Sequence, residues 1–342
     1  MSKLSLALGW ILVGAASVAA QTPAAGDPHR EVRGVTISCQ TWGWEWGSDA
    51  MVEALREVRA LGANWVLIHP YARIGNDGSV TSRHLEGEAP KWLTRPIEEA
   101  HRLGLKVALK PHLAYWGSKF SWRGEIAFED EAAWARFFGS YRAWLERVVE
   151  QSAGADAVVV GTELDRTLGH EAEWRSLIRA VRARTKAPLT YAANWTDYTK
   201  VPFWDALDVI GVQAYFPLVK HPRLPSPDEL AQGWAKVLEP LRRFAKQQGK
   251  RVLFTELGYN DSASAAREPW GYQQGGPQAD ETQRRCYEVA LRTLAREEVL
   301  CGAFLWKWFP GSARGEDFLL SRPPVREEIR LAWGAHAPQA PK

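Results

Sequence analysis

Cysteine is almost missing from this sequence. Only Cys39, Cys286 and Cys301 occur among 342 residues, so at most one disulfide is possible and one thiol is left over. Their spacing matches no zinc pattern, and all three read as small apolar core residues. An excess of one charge is missing as well. The 43 basic side chains nearly cancel the 40 acidic ones, for a formal charge of +3. No basic block stands out, which argues against nucleic acid as a partner and for a neutral substrate. No glycine-rich phosphate turn follows the first strand-like run, which counts against an open dinucleotide-binding sheet. No His-x-His lies there either, and metal-bound-water hydrolases usually gather several His and Asp. Neither a metal nor an organic cofactor is expected. No close internal repeat or low-complexity tract appears.

What is present begins with an export signal over residues 1–20. Lys3 precedes an apolar run from Leu4 to Val18, and Val18-Ala19-Ala20 offers small residues for cleavage. The competing reading is an uncleaved anchor, since the run approaches the roughly 17–25 residues that a membrane span needs. Small Ser17, Ala19 and Ala20 and the polar, flexible tail 21–30 favour cleavage. A secreted or periplasmic monomer with no membrane association after cleavage is the expectation. Residues 31–334 form one domain, and the tail 335–342 reads as disordered.

Eight apolar, β-branched runs alternate with helix-like segments: Val32–Ser38, Asn64–Pro70, Lys106–Leu113, Ala157–Leu164, Pro188–Trp195, Leu207–Tyr215, Arg251–Tyr259 and Cys301–Phe309. Continuous apolar stretches such as Val158-Val159-Val160 suit strands buried on both faces. Ser48 is placed to cap a helix that stops at Gly62, and Ser226-Pro227-Asp228-Glu229 carries the signature of a capping box with proline at the first helical position. Eight strand–helix units predict an α/β fold closed into a single-domain (β/α)8 TIM barrel.

Active sites of such barrels lie at the C-terminal strand ends. Here those ends are polar and aromatic: Cys39 and Trp42, His69 and Tyr71, His112, Glu163, Asn194 and Trp195, Gln213 and Tyr215, Glu256 and Tyr259, Trp306 and Trp308. A carboxylate closing an apolar strand is expensive to bury without a partner or a purpose. Glu163 and Glu256 close the fourth and seventh runs, and two carboxyl groups at one barrel mouth are what glycosidic bond cleavage requires. A lone structural ion pair would explain either one separately. The 18 tryptophans add loop indoles, Trp42, Trp44, Trp46, Trp116, Trp122, Trp195, Trp306 and Trp308, on which sugar faces can stack. Trp65, Trp134, Trp144, Trp174 and Trp234 read as core. His69 and His112 read as hydrogen-bond donors to sugar hydroxyls or to a carboxylate, with a structural role as the alternative for His69.

At these residues the chain resembles glycoside hydrolase family 113, retaining β-mannan-cleaving (β/α)8 enzymes. The matching stretches include Leu-Gly-Ala-Asn-Trp-Val, His-Arg-Leu-Gly-Leu-Lys-Val-Ala-Leu-Lys-Pro-His-Leu, Gly-Thr-Glu-Leu, Leu-Thr-Tyr-Ala-Ala-Asn-Trp, Phe-Thr-Glu-Leu-Gly-Tyr and Trp-Lys-Trp-Phe, in order from Gly34 to about Pro310. The resemblance implies Glu163 as acid/base, Glu256 as nucleophile and Tyr215 as the aromatic residue that hydrogen-bonds the nucleophile. It places Asn194, Trp195, His112 and Trp306 among sugar contacts. Many members of the wider clan carry Asn just before the acid/base, where this chain has Thr162. The implied substrate is β-1,4-mannan or a manno-oligosaccharide. The alternatives are another β-linked glycan, or a barrel that binds polysaccharide without cleaving it.

Overall fold

A computed structural model describes residues 32–313 and 315–337. The export segment, the tail 21–30 and residues 338–342 lie outside the described residues. Eight parallel strands close into a barrel: β1 (Val32–Ile37), β2 (Trp65–Ile68), β3 (Lys106–Leu109), β4 (Ala157–Thr162), β5 (Leu189–Asn194), β6 (Ile210–Gln213), β7 (Val252–Leu257) and β8 (Leu300–Trp308). They neighbour one another in sequence order, and β8 closes on β1.

The eight expected runs each hold one barrel strand, with one subdivision. The third run breaks at Lys110-Pro111, because proline cannot donate to the ladder. Its remainder, His112–Ala114, joins Tyr71–Ile74 and Val80–Thr81 in a three-stranded flap sheet beside the mouth.

Helices α1 (Asp49–Ala60), α2 (Lys91–Arg102), α3 (Glu131–Gln151), α4 (Glu171–Arg182), α5 (Pro227–Gln248), α6 (Ala279–Leu294) and α7 (Pro323–Trp333) follow seven of the strands. Between β5 and β6 the connection holds only the 3-10 turns Tyr198–Lys200 and Trp204–Ala206. At the start of α5 both reciprocal bonds of the Ser226/Glu229 capping box form. Ser48 stands at the N-cap of α1, but its hydroxyl donates to the Glu45 carbonyl (2.6 Å) and does not cap the helix. The 3-10 turn Trp44–Gly47 just before it presents that carbonyl first. The tail expected to be disordered from residue 335 opens with a 3-10 turn, Gly334–His336.

The floor of the barrel is apolar. Leu67, Ala108, Leu253 and Phe304 form a buried cluster, and Gly34 makes room for it, since a Cβ there would stand 2.3 Å from the Phe304 ring. Of the tryptophans assigned to the core, Trp144, Trp174 and Trp234 are buried, while Trp65 and Trp134 are half-buried at its edge. All three cysteines are free; Cys286 is buried and the other two partly so. Among the described residues no helix is long and apolar enough to cross a membrane.

Candidate active site

The apolar barrel strands end in charge. The β4–β5 register slips between Val159 and Thr162, and the β6–β7 register slips between Phe254 and Glu256. Slips of this kind re-aim a side chain where the ladder breaks. Glu163 follows immediately with φ of 55°, a left-handed conformation that costs a non-glycine residue about 1–3 kcal/mol and clusters at functional sites. Its N–H is held by the Ala192 carbonyl (2.9 Å).

Each carboxylate has its own cation. Glu163 Oε2 accepts from Arg123 Nη1 (3.0 Å). Arg123 also donates to the Leu113 carbonyl (3.1 Å) and to His112 Nδ1 (3.1 Å). Glu256, 5% exposed, accepts from Lys110 Nζ on Oε1 and from the Tyr215 hydroxyl on Oε2 (2.6 Å). Lys110 starts at the end of β3, four strands away around the ring, and spans the barrel to β7. The Gln213 carboxamide lies near both: its oxygen accepts from Thr255 Oγ1 (2.9 Å), and its amide lowers the pKa of each carboxyl group.

These surroundings push the two carboxyl groups apart. Burial raises the pKa of Glu163, and the Glu256 charge adds to that rise, outweighing the opposing pull of Arg123 and Lys110. Burial would raise Glu256 as well. The charge and hydrogen bond of Lys110, with hydrogen bonds from Tyr215 and Gln213, overcome it and hold Glu256 below its ordinary value. His69 and His112 are kept neutral by burial and by the neighbouring cations. With His112 Nδ1 accepting from Arg123, the proton is assigned to Nε2. That atom is buried and finds no hydrogen-bond partner among the described residues.

The remaining residues expected from the sequence divide into two groups. His69, bonded through Nε2 to Ser38 Oγ (3.1 Å), stacks on His112 at 4.9 Å, and Trp306 leans over both. Trp42 meets Tyr71, His84 and Trp116 and carries the Arg73 guanidinium 4.6 Å above its ring. Trp44, 53% exposed, touches only the ring of His84 among these aromatics. Trp195 stacks on Trp270 at 5.7 Å. Asn194 accepts from the Trp195 N–H on its side-chain oxygen (3.0 Å) and stands near Asp165, whose carboxyl is pushed up to about 7 by burial and by the charges of Asp197 and Glu163.

Sequence reading passed over Lys110, Arg123 and Trp270. Lys110 was detectable as a lysine ending the apolar run Val-Ala-Leu; Arg123, at the start of a short 3-10 turn, and Trp270 lie in stretches that carry no periodic signal. Among the described residues no group of three or more His, Cys, Asp or Glu side chains is gathered to hold a metal ion.

With this geometry in place, comparison with known proteins is specific. The family model for glycoside hydrolase family 113 matches residues 36–316. The chain is similar to the family 113 β-mannanase AaManA from Alicyclobacillus acidocaldarius, solved in complex with ManMIm: 27% identity, TM-score 0.77, 90% of this chain and 98% of that one. A family 113 β-1,4-mannanase complex at 23% identity and TM-score 0.77, covering 89% and 99% of the two chains, shares the fold. So, more distantly, does a Ruminococcus gnavus β-glucuronidase at 11% identity and TM-score 0.57, of which this chain covers half (50%) with 89% of its own length. No curated relative matches the chain.

Proposed function

Because this chain belongs to glycoside hydrolase family 113, and so is a glycoside hydrolase with a carbohydrate substrate, we propose that it cleaves β-1,4-mannan or manno-oligosaccharides with retention of configuration. Glu256 is the nucleophile and Glu163 the acid/base. The mannose assignment draws on the likeness to the AaManA β-mannanase.

The observation that carries the mechanism is the unequal setting of two carboxyl groups at one barrel mouth. A nucleophile must be ionised, and Glu256 sits between a buried ammonium and a phenolic hydroxyl. A general acid must hold its proton at working pH, and Glu163 is the group whose pKa is raised. Glu256 attacks the anomeric carbon while Glu163 protonates the leaving oxygen. Glu163 then takes a proton from the water that releases the sugar. The His112 Nε2 proton is the free donor for a sugar hydroxyl, and Trp306, Trp42 and the Trp195–Trp270 pair offer stacking faces.

The test is NMR of the first product formed from a β-mannoside. The β-anomer is expected first; the α-anomer first would end the retaining assignment. The variant Glu163→Ala should keep its first step on activated aryl mannosides and yield a β-mannosyl azide when azide is added.

A further inference from the structure

Two cations stand in this site, Arg123 on Glu163 and Lys110 on Glu256, and keeping the resting nucleophile ionised is only part of what the second can do. Arg123 steadies Glu163. Lys110 is wholly buried (0% exposed) and bound to the group that changes charge in every step. Its ammonium donates to Glu256 Oε1 and lies 3.4 Å from the Thr255 carbonyl, with the Trp306 ring centroid 5.2 Å away. The other polar groups facing it are Glu163, Arg123, His69 and His112, so Glu256 is its one contacting anion.

The reaction removes that anion and restores it. In the first displacement a Glu256 oxygen bonds to the anomeric carbon, and the glycosidic bond breaks with its electron pair passing to the leaving oxygen, which takes the proton of Glu163. Glu256 is now a neutral ester, and Lys110 is a buried ammonium without its ion pair, a costly state. In the second displacement water attacks the same carbon and gives its proton to Glu163. The ester bond breaks, and its electron pair returns to the carboxylate beside Lys110. The pair is therefore stronger in the second transition state than in the intermediate before it, which is the condition for acceleration. In the first step the same contact stabilises charge that must be consumed.

We propose that Lys110 is a catalytic residue of the second displacement, drawing charge back onto Glu256 as the glycosyl-enzyme hydrolyses. The inference rests on Glu256 being the nucleophile, as proposed above. Substitution Lys110→Met should raise the pKa of Glu256; at a pH high enough to keep Glu256 ionised it should slow release of the covalent sugar roughly 10- to 100-fold, the range for a lost charge-assisted hydrogen bond, and spare attack on an activated aryl β-mannoside. Stopped-flow traces should show a larger phenol burst than wild type, with KM falling together with kcat. Mass spectrometry of the acid-quenched, digested variant should find one sugar on the peptide containing Glu256. Equal loss in both phases, with no added burst, would mean that Lys110 only supports the site, and would overturn the proposal.

Should that variant fail to fold, the unmodified enzyme provides a second measurement. After trapping with 2-deoxy-2-fluoro-β-mannosyl fluoride and removal of excess reagent, reactivation should rise with pH as Glu163 ionises. It should then fall as the unpaired Lys110 loses its proton, below the about 10.4 of an ordinary lysine. A trapped Glu256 whose reactivation shows no such fall would refute the role of Lys110 alone. No label on Glu256 would overturn the nucleophile assignment and this inference together.

Discussion

Removing a nucleophile usually leaves an enzyme as stable as before or more so, because active sites trade stability for function. This barrel should behave in the opposite way. The substitution Glu256→Gln leaves the Lys110 ammonium inside with no counter-charge, and neither partner is solvated: the side chains are 0% and 6% exposed. Two unit charges at hydrogen-bond distance attract by about 5 kcal/mol at an effective dielectric near 20, and breaking a buried pair from one side costs about 3–5 kcal/mol. For a protein of this size that is a fall in melting temperature of about 4–7 °C. The sign with pH is fixed too. Burial already lowers the pKa of Lys110, and Glu256 opposes that fall, so the variant lowers it further. In the window between that lowered value and the ordinary lysine value of about 10.4, the unfolded chain binds the extra proton. The stability deficit should therefore be largest at low pH and shrink as pH rises through that window. Adding Lys110→Met to the variant replaces the pair by neutral groups and should recover most of the loss. Urea denaturation of the four proteins of this cycle, at two pH values, measures each quantity. A Glu256→Gln variant within about 0.5 kcal/mol of wild type, the usual scatter of an ordinary surface change, would refute the reasoning.

Other perturbations address the remaining parts of the site. Arg123→Met removes a cation that pulls the Glu163 pKa down; activity is lost as pH rises through that pKa, so the alkaline limb of the kcat/KM profile should move to higher pH, with kcat down roughly tenfold. Asn260 is buried and ties two rim loops together, donating to the Gly271 (3.3 Å) and Gln273 (3.1 Å) carbonyls and accepting from the Phe318 N–H (3.0 Å); Asn260→Ala should raise KM for manno-oligosaccharides roughly 5- to 20-fold, with a much smaller change for an aryl mannoside. Trp195→Ala and Trp270→Ala should each weaken oligosaccharide binding to a Glu163→Gln background by about 1 kcal/mol, and the double variant by less than the sum, because the two rings form one stack; calorimetric titration reads both, and additive losses would argue against a shared platform.

Much of the barrel was legible because its rules are local. Buried parallel strands must be continuous apolar runs and helices must carry caps and stops, so eight strands and the capping box at Ser226 could be read from the chain itself. The two glutamates were legible for a related reason: a carboxylate that ends an apolar strand is conspicuous against its neighbours. Where local signals compete, the chain alone misleads. Ser48 has the residue type of a cap, yet its hydroxyl bonds the carbonyl of Glu45, because the preceding turn brings that group closer than the helix does.

Tertiary structure decided everything that depends on which strand ends meet. Lys110 and Glu256 are 146 residues apart, and only closure of the barrel places β3 opposite β7. Arg123 reaches Glu163 from a short turn with no sequence periodicity, and Thr255, one strand away, holds the Gln213 amide oxygen. The sequence alone determined that two carboxyl groups would share a mouth. Their difference in proton affinity arises from unequal desolvation and from one buried ammonium, and those are properties of the closed barrel.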